Sequence, residues 1–220
     1  MKIQFYLRFF TQYGQSLFIT GNCDRLGNND LAAAIPMQYL TDEFWTATIE
    51  LGKEFENELQ YNYLLKNENG ETVMEWGDDR MIEVMKLEVD ELTLIDTWNH
   101  AGEFENAFYT QPFQQVLLPK AAPLKPQSLK PVTHIFKVKA PLLTADEVLC
   151  ISGSNASLSN WKTVEPVLMQ REGNWWTAKL NLSGESFPVA YKYGVFNIKT
   201  KTFVRFETGN NRVLYDSYGK

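Results

Sequence analysis

The side chains able to do covalent chemistry are few and poorly grouped. Glycoside chemistry can run on two carboxylates ~5 to 10 Å apart, and the acidic clusters on offer are Glu75 with Asp78 and Asp79, and the run Asp90-Glu91. In a small sandwich these fall at turns, where a charge run is normally solvated. His100 and His134 are the only histidines, so neither a histidine-based triad nor metal-ligand spacing can be assembled, and no Gly-rich phosphate loop occurs. The expectation is a chain with no catalytic residue, no metal site and no cofactor. Cys23 and Cys150 are expected to be free thiols in a reducing compartment, with Cys150, in an apolar strand, belonging to a core.

The elements that must carry any binding surface occur twice. FITGNCDRLGNND around Gly21 returns as CISGSNASLSNWK around Gly153, FWTATIEL at Phe44 returns as WWTAKLNL at Trp175, and YNYLLKNENGETVMEW at Tyr61 returns as YKYGVFNIKTKTFVRF at Tyr191. An offset this steady over three separated blocks defines two copies of one module. Within each copy the hydrophobic period is two: IQFYLRFF, SLFITG, FWTATIEL, LQYNYLLK and LTLIDTW in the first, HIFKV, VLCISG, WWTAKLNL, VAYKYGVF, KTFVRF and RVLY in the second. Short alternating runs between polar turns read as strands, and LAAAIPMQYL, the one helix candidate, is interrupted by Pro36. The predicted fold class is all-β, two antiparallel β-sandwich (immunoglobulin-like) modules in tandem. The first spans 1–110 and the second 133–220, joined over 111–132 by a Pro-rich linker or packed arm.

Composition narrows the partners. The net charge is -6, which disfavours nucleic acid because backbone binding needs concentrated Lys and Arg. No apolar run approaches the ~20 residues of a membrane span. The N-terminal MKIQFYLRFFTQYG alternates like a strand and lacks a secretory signal pattern, so a cytoplasmic setting is expected.

Four segments of the second copy carry a family resemblance. SGSNASLSNWK, WWTAKLNL, AYKYGVF and RFETGNNR resemble, in order and spacing, the starch-binding domain known as carbohydrate-binding module family 20. The resemblance covers both copies. It implies a site for α-glucan made by Trp161, Lys192, Phe206 and Asn211, with Glu207 beside them. Phe206 departs from the tryptophan usual in the family, which reduces the stacking area. The chemistry fits: a pyranose shows C–H groups on its faces and hydroxyls around its edge, so Trp161 and Phe206 would take the faces, and Lys192 and Asn211 the rim. Trp45 and Trp176, which lead equivalent strands, are expected in the core.

The first copy breaks the pattern. Asn28 and Asn29 follow Leu26-Gly27 without a tryptophan, Asn62 replaces the lysine, and GDDR after Trp76 reads as shorter than ETGNNR. Trp76 is then the single aromatic of this site, too little to hold a sugar plane against water. The segment Thr11-Gln12-Tyr13-Gly14 resembles the one that supplies the family's second site, and Tyr39 falls where that site's other tyrosine would be. The second copy has Ala145 at the Tyr13 position. A division of labour between the copies is the expectation.

LTLIDTW resembles the family's closing strand, and the second copy stops soon after RVLY, as if its last strand were missing. Two such modules with a degenerate first copy resemble the N-terminal region of glycoside hydrolase family 77 proteins. That implies a C-terminal catalytic domain as partner in a parent 4-α-glucanotransferase, with this chain binding starch, glycogen or maltooligosaccharides. The alternative is an immunoglobulin-like pair that docks a protein through Trp161 and ignores sugars.

Overall fold

A computed structural model describes residues 1–52, 55, 58–77, 79–100, 131–140 and 142–215. The strands are β1 (Lys2–Arg8), β2 (Ser16–Gly21), β3 (Ile35–Pro36), β4 (Gln38–Tyr39), β5 (Phe44–Glu50), β6 (Leu59–Lys66), β7 (Thr72–Met74), β8 (Arg80–Ile82), β9 (Glu91–Thr97), β10 (His134–Val138), β11 (Glu147–Gly153), β12 (Val167–Leu168), β13 (Gln170–Glu172), β14 (Trp175–Leu180), β15 (Val189–Asn197), β16 (Thr202–Phe206) and β17 (Arg212–Leu214). Helical turns among the described residues are short 3-10 pieces, so the chain is all-β as its period-two pattern requires. No helix among the described residues is long and apolar enough to cross a membrane.

The described residues divide into two compact units, one holding 1–100 and 131–136, the other 137–215. His134–Phe136 cluster with the first unit because they pair in parallel with Thr93–Ile95 of β9. Residues 111–130, the body of the expected linker or arm, lie outside the described residues.

In the first unit one sheet runs β3-β2-β6-β7, with β8 also on β6, and the other contains β9-β1-β5-β4. Alternation sets the inner faces: Ile3, Phe5 and Leu7 on β1 are fully buried and meet Trp45, Ala47 and Ile49 of β5, with Tyr61, Tyr63 and Leu65 of β6 in the same core. Besides the β10–β9 ladder, a second pairing departs from the antiparallel expectation, since β1 lies antiparallel to β5 but parallel to β9. A parallel partner requires a long connection, and β9 is separated from β1 along the chain by β2 to β8.

The second unit repeats the plan with β12-β11-β15-β16, and β17 on β15. Trp176, like Trp45, is buried in its core. The tryptophan-led strands are therefore core elements, as their alternation predicts.

Candidate functional site

Trp161 ends the 3-10 turn Ala156–Trp161 that follows β11. The turn is pinned from beneath. Leu158 is fully buried and presses on Gly153, where an added Cβ would lie 2.6 Å from the Ala190 carbonyl oxygen and 2.8 Å from Leu158 Cδ1. Glycine is required there for close approach, and Gly21 and Leu26 repeat the arrangement in the first unit. The Asn155 side chain accepts from the Leu158 N–H at 3.0 Å, and its carbonyl accepts from the Asn160 N–H at 2.8 Å. Glu185 Oε1 ties the turn to a separate loop by accepting from the Ser157 hydroxyl at 2.6 Å and N–H at 3.0 Å. Held this way, Ser159, Asn160 and Trp161 take φ of 64°, 48° and 59°, a left-handed run that bulky residues avoid.

The consequence is an indole that is only half-buried, standing edge-on to Phe206 with ring centroids 6.3 Å apart and planes 79° apart. Phe206 ends β16 directly opposite Gly194 of β15. That glycine leaves room for Phe203, whose Cε2 would lie 2.7 Å from an added Cβ, and Phe203 in turn supports Phe206 at 4.5 Å. Lys192, two residues before Gly194 and so on the same face of β15, pairs with Ser152. The Ser152 hydroxyl donates to the Leu158 carbonyl at 3.3 Å, which links the lysine strand to the base of the Trp161 turn. The Lys192 ammonium donates to the Gly209 carbonyl at 2.6 Å. Asn211 is exposed on the same loop, and Glu207, half-buried, pairs with Arg212 through both oxygens at 2.7 Å. The structure thus brings Trp161 and Phe206 into contact and ties Lys192 to the loop that carries Glu207 and Asn211.

In the first unit the ladder revises the position of Trp76. Met74 pairs with Leu64 as Phe206 pairs with Gly194, and the Glu75 N–H donates to the Tyr63 carbonyl as the Glu207 N–H donates to that of Tyr193. Met74 therefore stands at the Phe206 position and Trp76 at that of Thr208. The segments Glu75–Arg80 and Glu207–Arg212 are equal in length, so the first loop is not the shorter one; the extra residues of the second copy lie in the β15–β16 hairpin, whose register shifts between Val195 and Phe196. Trp76 is half-buried, and its backbone N–H and carbonyl both bond to Asn99, at 3.1 and 2.7 Å. Asn62 is buried, with its amide donating to Asp79 at 3.1 Å. The positions equivalent to Trp161, Lys192, Phe206 and Asn211 are Asn29, Asn62, Met74 and Asp79, a set without an aromatic ring.

Tyr13, 99% exposed, tops a turn closed by the Gln15 N–H on the Gln12 carbonyl and braced by Gln15 on Asn67 at 2.9 Å. Tyr39 is also exposed and lies edge-on over Trp45 at 5.6 Å, its hydroxyl donating to Asp42 at 2.7 Å. Each has a free face and its own bracing. In the second unit Arg171 pairs with Trp176 where Tyr39 pairs with Trp45, so both tyrosine positions have changed there.

Glu75, read from the sequence as a solvated turn residue, is buried. It and Asp96 pair with the fully buried Arg80, and Asp96 also accepts from the hydroxyls of Tyr61 and Tyr63, each at 2.8 Å. Burial raises the Glu75 carboxyl against the pull of Arg80, and raises both tyrosines well above their usual range. Burial alone would lower Arg80, but Asp96 and Glu75 more than offset it, and the guanidinium stays charged. This carboxylate pair is locked on one arginine, the arrangement of a structural network rather than of an acid and a nucleophile. Both cysteines are buried, and desolvation raises Cys23 and pushes Cys150 up to about 12, which keeps them as inert thiols. Among the described residues no group of His, Cys, Asp and Glu could hold a metal.

A half-exposed aromatic pair on a small β-sandwich, next to a loop that carries an exposed carboxamide and receives a lysine ammonium, has the make-up of a carbohydrate-binding module. The family model for the starch binding domain matches residues 1–93 and 131–219, and the chain belongs to that family. It is 27% identical over 210 residues to the 4-alpha-glucanotransferase DPE2 of Oryza sativa subsp. japonica, an alignment covering 88% of this chain and 22% of that protein. The chain thus spans about a fifth of that relative's length. Similar solved structures include the family 15 glucoamylase from Hypocrea jecorina (24% identity, 45% of this chain and 17% of that chain, TM-score 0.40) and the family 20 module of the maltotetraose-forming amylase from Pseudomonas saccharophila (17% identity, 44% and 100%, TM-score 0.37).

Proposed function

We propose that this chain binds α-1,4-glucan without acting on it, and tethers the polysaccharide for a 4-alpha-glucanotransferase domain attached to it in the parent protein. Family membership supports the ligand, and the glucanotransferase relative supports the attached activity. The observation that carries the reading is the indole of Trp161, held half out of the protein by a left-handed turn and set against Phe206 beside the loop that receives Lys192. Trp161 and Phe206 receive the sugar faces, and Lys192 and Asn211 the hydroxyl rim. In the first unit, Tyr13 and Tyr39 offer a second aromatic site, whereas Trp76 stands outside the equivalent of the first. Two buried free thiols suit a cytoplasmic setting.

Calorimetric titration of the chain with maltoheptaose, against Trp161→Ala, tests this. Removing the indole forfeits about 1.5 to 3 kcal/mol of apolar burial, so the affinity of this site should fall roughly ten- to a hundredfold. An affinity unchanged by Trp161→Ala overturns the assignment. A chain that ignores maltoheptaose and amylose altogether overturns glucan binding and favours the protein-docking alternative.

A further inference from the structure

Glu207 is the acidic member of the Trp161 set, and as a rim group it would have to offer a carboxylate oxygen to a sugar hydroxyl. Both its oxygens already have partners. Oε1 accepts from Arg212 Nε at 2.7 Å and from the Tyr193 N–H at 3.0 Å, while Oε2 accepts from Arg212 Nη2 at 2.7 Å. Such a two-pronged ion pair fixes geometry as well as charge. Arg212 is almost fully buried, lies over the Tyr193 ring at 4.9 Å and pairs with Tyr191 through its backbone. The Glu207 N–H also donates to the Tyr193 carbonyl at 2.9 Å. The two ends of the 207–212 segment are therefore fastened to β15, the strand that carries Lys192.

Between those fastened ends, Gly209 has a φ of 92°, a conformation that favours glycine, and its carbonyl accepts from the Lys192 ammonium at 2.6 Å. An ammonium has three donors on a flexible stem; this contact fixes one and leaves two for a ligand. The first unit supplies an internal comparison. Glu75 pairs with Arg80, Gly77 has a φ of 111°, and the same backbone bond joins Glu75 to Tyr63, yet Asn62 stands where the lysine is. The frame persists where the lysine is absent, so its role is separable from that of the groups it presents.

We infer that Glu207 and Arg212 are positioning residues: their ion pair sets the 207–212 loop so that the Gly209 carbonyl aims the Lys192 ammonium at the glucan. This rests on the reading of Trp161 and Lys192 as a glucan site. The test is maltoheptaose titration of the full chain bearing Glu207→Gln, Lys192→Ala and the two combined. Glu207→Gln keeps an acceptor oxygen but breaks the ion pair, and should weaken binding about three- to tenfold. In the Lys192→Ala background the same substitution should change affinity by less than about twofold, because its effect passes through the ammonium. Arg212→Lys keeps the charge but gives up the second prong, and should show the same loss with the same dependence on Lys192. Equal losses from Glu207→Gln in both backgrounds, or full affinity in Arg212→Lys, overturn the positioning role while the glucan site stands. Unchanged affinity in both Lys192→Ala and Trp161→Ala overturns the glucan site itself.

Discussion

Phe206 is where the second unit has most to gain. Its phenyl ring meets the edge of Trp161 at 6.3 Å and rests on Phe203, so an indole in its place would extend the apolar surface without a new anchor. Some 20 to 40 Å² of added contact at about 25 cal/mol/Å² is 0.5 to 1 kcal/mol, a roughly two- to fivefold gain in affinity. Phe206→Trp should therefore bind maltoheptaose more tightly, read by calorimetry, with the unfolding midpoint little changed. Weaker binding would mean that the edge-on packing with Trp161 matters more than ring area. Trp161, Lys192, Phe206 and Asn211 were named from the family resemblance of four short blocks, and the fold brings Trp161 to Phe206 and Lys192 to the loop of Asn211. The place of Trp76 was not. A constant offset through the third block hid the different hairpin lengths, and only the bonds from Glu75 to Tyr63 and from Glu207 to Tyr193 fix which residues correspond. Gly194 and Phe203 were missed for a related reason: a glycine inside a strand signals close approach, but what approaches is visible only once β16 lies against β15.

At the scale of elements, the two sheets of the first unit are joined through charge as well as through apolar contact. Arg80 sits on β8 beside β6, while Asp96 belongs to β9 in the opposing sheet, and Asp96 receives the guanidinium and two tyrosine hydroxyls from across the core. Removing one partner from a buried ionic network leaves an uncompensated charge, at a cost of about 3 to 5 kcal/mol. Asp96→Ala should thus unfold the first unit at markedly lower urea while leaving the second unit's transition in place, followed by tryptophan fluorescence or far-UV circular dichroism. A loss within about 0.5 kcal/mol, the range of a surface substitution, would reduce the network to a bystander. Period-two alternation made the strands readable, but it carries no information on pairing across long separations. That is why the parallel partnership of β1 with β9 and the burial of Glu75 emerged only with the fold: their partners lie in strands distant along the chain.

At the scale of the whole molecule, the two copies have diverged in complementary ways. The second unit keeps Trp161 and its neighbours and has Ala145 and Arg171 at the tyrosine positions; the first keeps Tyr13 and Tyr39 and has Asn29 and Met74 in place of the aromatic pair. On the proposed reading, one site on each copy would give a long glucan two grips. When both engage one polymer, the second event is intramolecular, and retention can exceed either single affinity by about 10²- to 10⁴-fold without any new contact. Maltotriose and insoluble starch should therefore report differently on the same substitutions. With maltotriose, which occupies one site at a time, Tyr13→Ala and Trp161→Ala should each remove one binding equivalent and leave the other's affinity intact. On starch granules each single substitution should shorten retention far more than the loss of half the sites requires, and the double variant should pass through unretained. If Tyr13→Ala changes neither the maltotriose stoichiometry nor the retention on starch, the first unit does not grip glucan through that tyrosine, and the tandem acts through the Trp161 site alone.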